Sequence, residues 1–229
     1  MKVSHEVPRC LLTLQHEIND YLYCLPHLLD QDEEYKDFFL EASRNNEYII
    51  MDNSLHELGE AYDHNRLIHW INEIKPMEFI VPDVWMDYSQ TLKNAKHWKQ
   101  YIYPECTTIV AVVQAKSLGE ASICYKQLKD LGYQKVAFSY GADWYADLIP
   151  HKNIDFAKAL GRIYTMTYLN NKGIILDTDR VHLLGCSLPQ EFGWYNNASY
   201  IESIDTSNPV MAAIEGLKYS QAGLKVKPK

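Results

Sequence analysis

Positive charge is scarce in this sequence: 22 Lys and Arg stand against 30 Asp and Glu, a net charge of −8 over 229 residues. Domains that grip nucleic acid by bulk charge are usually basic, so the balance speaks against that mode of binding. Cysteines number five (Cys10, Cys24, Cys106, Cys124, Cys186), are scattered, and never fall as C-x-x-C. That argues against a zinc ribbon or finger and leaves reduced thiols in a cytoplasm as the expected state. No apolar run reaches the ~18 residues of a transmembrane helix. Met1 to Arg9 lacks the charged-then-apolar pattern of a secretory leader. A glycine-rich phosphate loop is missing as well. What is present is ordinary for a globular chain, 47% hydrophobic and 23% charged, which rules out disorder, collagen and a disulfide scaffold. The length allows one large α/β domain or two small ones and suffices for a sizeable core.

No repeat, low-complexity tract or linker interrupts the chain, so a single domain over 1–229 is expected. Short apolar, β-rich runs alternate with longer helical patterns. The runs are Cys10–Leu14 (weak), Tyr48–Met51, Phe79–Val81, Thr107–Val113 (the strongest), Lys135–Tyr140, Val181–Cys186 and Tyr200–Ile204. Helical rhythm marks Asp32–Ser43, Asn65–Ile74, Tyr88–Tyr101, Ser117–Leu131, Ile154–Leu169, Pro189–Asn197 and Pro209–Leu217. Near-continuous apolar strands alternating with helices indicate parallel β/α units. About seven units fit an α/β chain of (β/α)8 TIM-like barrel form with a short or irregular last unit, its eighth strand faint within Gly216–Val226. A doubly wound open sheet is the competing architecture, weakened by the missing phosphate loop.

In a β/α barrel the working groups lie just past the C-terminal ends of strands. Those positions hold Asp52, Asp83, Gln114, the Ser139-Tyr140-Gly141 stretch and Asp205. Each has a structural alternative. Asp52 and Asp205 could serve as helix N-caps, and Asp83 could close a turn after its proline. Gln114 ends an apolar run and needs partners if buried. His56, His64 and His69 resemble a metal cluster by count only, because His64 and His69 share no helix face, and surface or core histidines are expected. Asp32-Glu33-Glu34 reads as an acidic first helix turn.

The order of motifs is more specific. YIIMDNS, FIVPD, VVQAKS, LGYQKVAFSYG, HLLGCSLPQEF and IESIDTSNP follow one another between about Tyr48 and Pro209. In this order and spacing the chain resembles the queuine-type tRNA-guanine transglycosylases, base-exchange enzymes that insert 7-deazaguanines. The resemblance implies Asp205 as nucleophile and Asp52 as the proton-handling carboxylate. It puts Asp83 and Gln114 where side chains hydrogen-bond the purine edge, and Ser139-Tyr140-Gly141 on the segment whose backbone contacts the base. Ser139-Tyr140 replaces the family's Gly-Gly. The family's C-terminal zinc module, with its Cys-x-Cys-x-x-Cys, has no counterpart after Asp205, where no cysteine follows. The chain is thus more similar to the compact, zinc-less phage and bacterial enzymes that put 7-deazaguanine into DNA.

The implied partners are DNA, or alternatively tRNA, and a free 7-deazaguanine base. No membrane, cofactor or metal is expected. The location would be the cytoplasm, the host's if phage-encoded, and a homodimer or a partner protein would supply further nucleic-acid contacts. A non-catalytic binding subunit and a metal-dependent barrel hydrolase are the other readings. Tyr140 and Trp144 are expected to stack on the base. Lys116 and the tail lysines Lys218, Lys225, Lys227 and Lys229 would supply local positive charge, so binding is expected to be weak and salt-sensitive.

Overall fold

The computed structural model describes residues 1–217 except Ala61, Ser187 and Pro189. In chain order the elements are β1 (Lys2–His5), a 3-10 turn (Arg9–Leu14), α1 (Gln15–Ile18), β2 (Leu22–Cys24), α2 (Pro26–Gln31), α3 (Glu33–Arg44), β3 (Ile49–Met51), α4 (Leu55–Leu58), α5 (His64–Ile74), β4 (Glu78–Ile80), α6 (Tyr88–Trp98), β5 (Thr108–Val113), α7 (Leu118–Asp130), β6 (Lys135–Ser139), α8 (Trp144–Leu148), α9 (Ile154–Asn171), β7 (Arg180–Leu184), α10 (Gln190–Trp194), β8 (Ile201–Thr206) and α11 (Asn208–Ile214). The strands form one eight-stranded, all-parallel sheet in the order β1-β8-β7-β6-β5-β4-β3-β2. It curls into a nearly closed TIM-like (β/α)8 barrel. Side chains stitch the seam between β1 and β2: Asp20 accepts from the Val3 amide, and Asn19 exchanges hydrogen bonds with the His5 backbone.

Two strands escape the sequence reading. The eight are completed at the N-terminal side by β1 and β2, and Cys10–Leu14 is a 3-10 turn rather than a strand. The stretch named for a faint eighth strand, Gly216–Val226, lies outside the described residues from 218 onward, as do the four tail lysines.

Alternation along the strands separates two cores. Met51, Phe79, Ala111, Val113, Val136 and Phe138 face the helices and join the large shell core. Ile50, Ile80, Val110, Val112 and Ala137, one residue out of step, fill the barrel interior with Tyr21 and Tyr23. Helices are seated by their loops: Asp32, Asp63, Asp87, Ser117 and Asn153 each accept a hydrogen bond from the backbone N–H three residues on. Asp32 is therefore the cap of α3, with Glu33 and Glu34 in its first turn. On the β6–β7 side, α8 lies against α9 through Gly161, where a Cβ would come 2.0 Å from the Tyr145 carbonyl oxygen.

The N-terminal end of the interior is ionic. Glu78 opens β4, Lys135 opens β6 and Arg180 opens β7. Lys135 Nζ lies 2.6 Å from Glu78 Oε2, while Glu78 Oε1 accepts from Tyr48 Oη at 2.7 Å and Arg180 at 2.8 Å. Burial alone would push the Lys135 ammonium down, and the Glu78 carboxylate beside it opposes that. Lys135, Glu78 and Arg180 thus form one ionic network in which each charge has an opposite neighbour.

Candidate active site

At the opposite, C-terminal mouth, Asp52, Asp83, Gln114 and Asp205 are all at most 7% exposed. Aspartates with no role beyond solvation would lie in water, so each must be accounted for by partners.

Asp205 owes its direction to an irregularity in β8. Val181 pairs with Ile201, but His182 pairs with Ser203, so Glu202 is an extra residue in β8. The bulge reverses the alternation: Ile201 and Ile204 both pack in the shell core, while Ser203 and Asp205 turn into the barrel. There Asp205 Oδ1 lies 3.0 Å from His182 Nε2, and Oδ2 accepts from the Gly185 amide at 3.1 Å. Gly185 has φ of +67°, which favours glycine and points its N–H at the carboxylate. Arg162, fully buried, holds this loop by donating to the Leu184 and Gly185 carbonyls at 3.1 and 2.8 Å, and its own charge is matched by Glu191 at 2.7 Å. Asp205 is not a helix cap; the α11 cap position is Ser207.

Asp52 lies in a different environment. Its carboxyl is pushed from 3.8 up to about 8, first by burial, then by the charges of Glu57 and Asp205, with the Asn53 and Ser54 amides opposing. The protonated form is thereby favoured toward neutral pH. Its Oδ2 accepts from the Ser54 amide at 3.0 Å, a local turn that does not cap α4. Ser54 has φ of +58°, strained for a side-chain-bearing residue, and its hydroxyl bonds His27 Nδ1 at 2.8 Å.

Asp83 and Gln114 form one cluster. Asp83 Oδ1 accepts from Asn53 Nδ2 at 2.8 Å and Oδ2 from Gln114 Nε2 at 2.6 Å. Gln114 Oε1 accepts from the Met86 amide at 2.9 Å, and Met86 also has a positive φ of +52°. Burial raises the Asp83 carboxyl, and the two amide donors pull it back. The cluster is pre-assembled, and among the described residues second lone pairs on Asp83 and a second N–H on Gln114 are still unspent.

The segment after β6 departs from expectation in its side chains. The Tyr140 hydroxyl reaches the Asp155 carbonyl at 3.1 Å, and its ring lies under the Arg162 guanidinium at 5.2 Å, so it braces α9. Trp144 is buried in the shell core against Tyr145, so its ring is not offered to a ligand. Instead Trp85, 46% exposed, lies over Gly141, where a Cβ would come 2.9 Å from the indole. Sequence reading missed Trp85 and His182, and gave Asn53, which follows Asp52 past the strand, no role of its own. Trp85 and Asn53 were visible as neighbours of Asp83 and Asp52; His182 was visible only as one polar residue inside VHLLG.

His64 packs on Trp98 and Tyr101, and His69 on Trp70. Among the described residues, no group of three or more His, Cys, Asp or Glu is placed to hold a metal ion, and no helix is long and apolar enough to cross a membrane. Neither the family models nor the curated proteins yield a match to this chain.

Proposed function

We propose that this barrel is a base-exchange glycosyltransferase that replaces guanine in DNA by a 7-deazaguanine through a covalent aspartyl-glycosyl intermediate. The observation that carries the reading is the contrast between two buried carboxylates at one mouth. Asp205 has the Gly185 amide on one oxygen and His182 Nε2 beside the other, whereas burial raises the Asp52 carboxyl to about 8. A buried carboxyl raised toward neutral pH beside a second, hydrogen-bonded carboxylate suits divided acid and nucleophile roles.

The chemistry follows from that division. An Asp205 oxygen attacks C1′, the N-glycosidic bond breaks, and its electron pair leaves with the purine, which takes the Asp52 proton. An ester now joins Asp205 to the sugar. The incoming base gives a proton to Asp52, attacks C1′ through its nitrogen and releases the Asp205 carboxylate. Two inversions retain the sugar configuration, as in a retaining glycosidase. The Asp83–Gln114 cluster suits a purine edge that presents N–H and amino donors beside an oxygen acceptor. A site of such buried pairs rejects bases lacking those groups. The target nucleotide must leave the helix stack to enter, and Trp85 offers it an exposed ring at the mouth. The six ordered motifs support the base-exchange reading, with DNA taken as the substrate and tRNA as the alternative.

The test is to incubate the protein with DNA and with tRNA, each with candidate 7-deazaguanines, and to analyse the nucleosides. A modified deoxynucleoside is expected. Modification of tRNA alone assigns the substrate to RNA, and modification of neither refutes the reading.

A further inference from the structure

We propose that His182 is the positioning residue for Asp205, and that the buried Lys135–Glu78 pair sets which ring nitrogen it turns to that carboxylate. The proposal rests on the functional reading above and adds the device that aims the nucleophile.

A chain of hydrogen bonds runs from the ionic end of the barrel to the mouth. Lys135 can only donate, and it does so to Glu78 at 2.6 Å and to Ser203 Oγ at 2.8 Å. With one lone pair taken, the Ser203 hydroxyl proton has His182 Nδ1, 2.8 Å away, as its acceptor among the described residues. Nδ1 then accepts and carries no proton. In the neutral ring the proton then lies on Nε2, which donates to Asp205 Oδ1 at 3.0 Å. The polarity is therefore imposed from the ammonium upward and ends on the nucleophile.

The ring has little freedom to depart from this. It stacks on Tyr23 with centroids 6.2 Å apart and planes 18° from parallel, and meets the edge of Tyr21 at 6.5 Å. His182 is 1% exposed, so both nitrogens are shielded from bulk solvent. Rotating the imidazole would break both bonds and leave two buried polar atoms unpaired. Asp205 is thus held in one orientation, with lone pairs left for C1′. Catalysis by positioned groups is sensitive to errors of well under 1 Å. A core histidine kept for packing alone would satisfy its nitrogens anywhere; here both lie on one line that ends on the carboxylate.

Two readouts test this. In protein labelled with 15N-histidine, NMR is expected to show His182 as the Nε2–H tautomer, and Ser203→Ala is expected to weaken that preference. In exchange kinetics, His182→Ala is expected to lower kcat by about 10- to 100-fold, the worth of one hydrogen bond to a charged group, with KM for the free base little changed. His182→Gln, which can place an N–H near the lost Nε2, is expected to recover most of that loss. An Nδ1–H tautomer, a His182→Ala kcat equal to the parent's, or a Gln variant no better than Ala would overturn the proposal. Should His182→Ala not fold, the tautomer and the Ser203→Ala and Gln variants still decide. Should the parent protein exchange no base, the functional reading fails, and the tautomer alone judges the wiring.

Discussion

Replacing Asp52 by Asn should make the protein more stable and abolish exchange. In the folded chain the Asp52 carboxyl is raised from 3.8 to about 8, chiefly by burial. Below about pH 4 it is neutral in folded and unfolded chains alike and contributes no pH dependence. Above that the unfolded chain ionises while the folded one keeps its proton, so stability falls as pH rises. The fall continues until the folded carboxyl ionises near 8, and is constant beyond. At about 1.4 kcal/mol for each of roughly four pH units, the ceiling is about 6 kcal/mol. Relaxation around the new charge will lower the observed figure, and about 2 kcal/mol is the least the burial argument expects. An Asn side chain is neutral throughout, keeps an acceptor for the Ser54 amide, and has no such slope. Denaturant unfolding of both proteins from about pH 5 to about pH 9 measures the difference. A gain for Asp52→Asn that grows with pH supports the buried proton. A flat difference, or a less stable variant at about pH 8, refutes it.

Three further outcomes follow from other parts of the molecule. Asp83→Ala should weaken free-base binding by about 10- to 100-fold while changing nucleic-acid binding much less; equal losses of both in calorimetry would contradict its role at the purine edge. Lys135→Met takes the ammonium from one oxygen of the fully buried Glu78 while Arg180 and Tyr48 stay on the other, and should cost about 1–3 kcal/mol in denaturant unfolding, part of it restored by a second change Glu78→Leu; a double variant no better than the single would show that the pair is not coupled. Trp85→Ala should weaken binding of single-stranded DNA by about 1–3 kcal/mol with little change in stability, measured by fluorescence anisotropy; unchanged binding would remove Trp85 from the mouth's stacking surface.

The barrel was legible where strands carry enough apolar residues. TTIVAVV is apolar on both faces, and KVAFS and VHLLG declare themselves by the helix-facing Val136, Phe138, Val181 and Leu183. KVSH and LYC do not, being three or four residues long; in KVSH the inward positions are Lys2 and Ser4, which erases the apolar signal. The mouth was legible for a related reason: a carboxylate or amide directly after an apolar strand is visible in one dimension, which brought out Asp52, Asp83, Gln114 and Asp205. What stayed hidden depends on register. Lys135 and Ser139, or Arg180 and His182, share an inward face by alternation, but their partners on β4 and β8 emerge only from strand pairing and from the bulge at Glu202. The rings of Tyr140 and Trp144 lie elsewhere than a stacking role at the mouth suggests, because sequence proximity does not say which way a ring turns. Tyr140 turns to α9, Trp144 to the shell core, and Trp85 from the neighbouring loop covers Gly141 instead.

The central claim is that Asp205 becomes bonded to the sugar, and trapping tests it most directly. Protein incubated with guanine-containing DNA in the absence of added base, quenched in denaturant and run on a denaturing gel, should show a covalent protein–DNA species. Mass spectrometry should place the sugar on the peptide containing Asp205, and Asp205→Ala should give no such species. An adduct that persists in Asp205→Ala, or one mapped to another residue, would contradict the account.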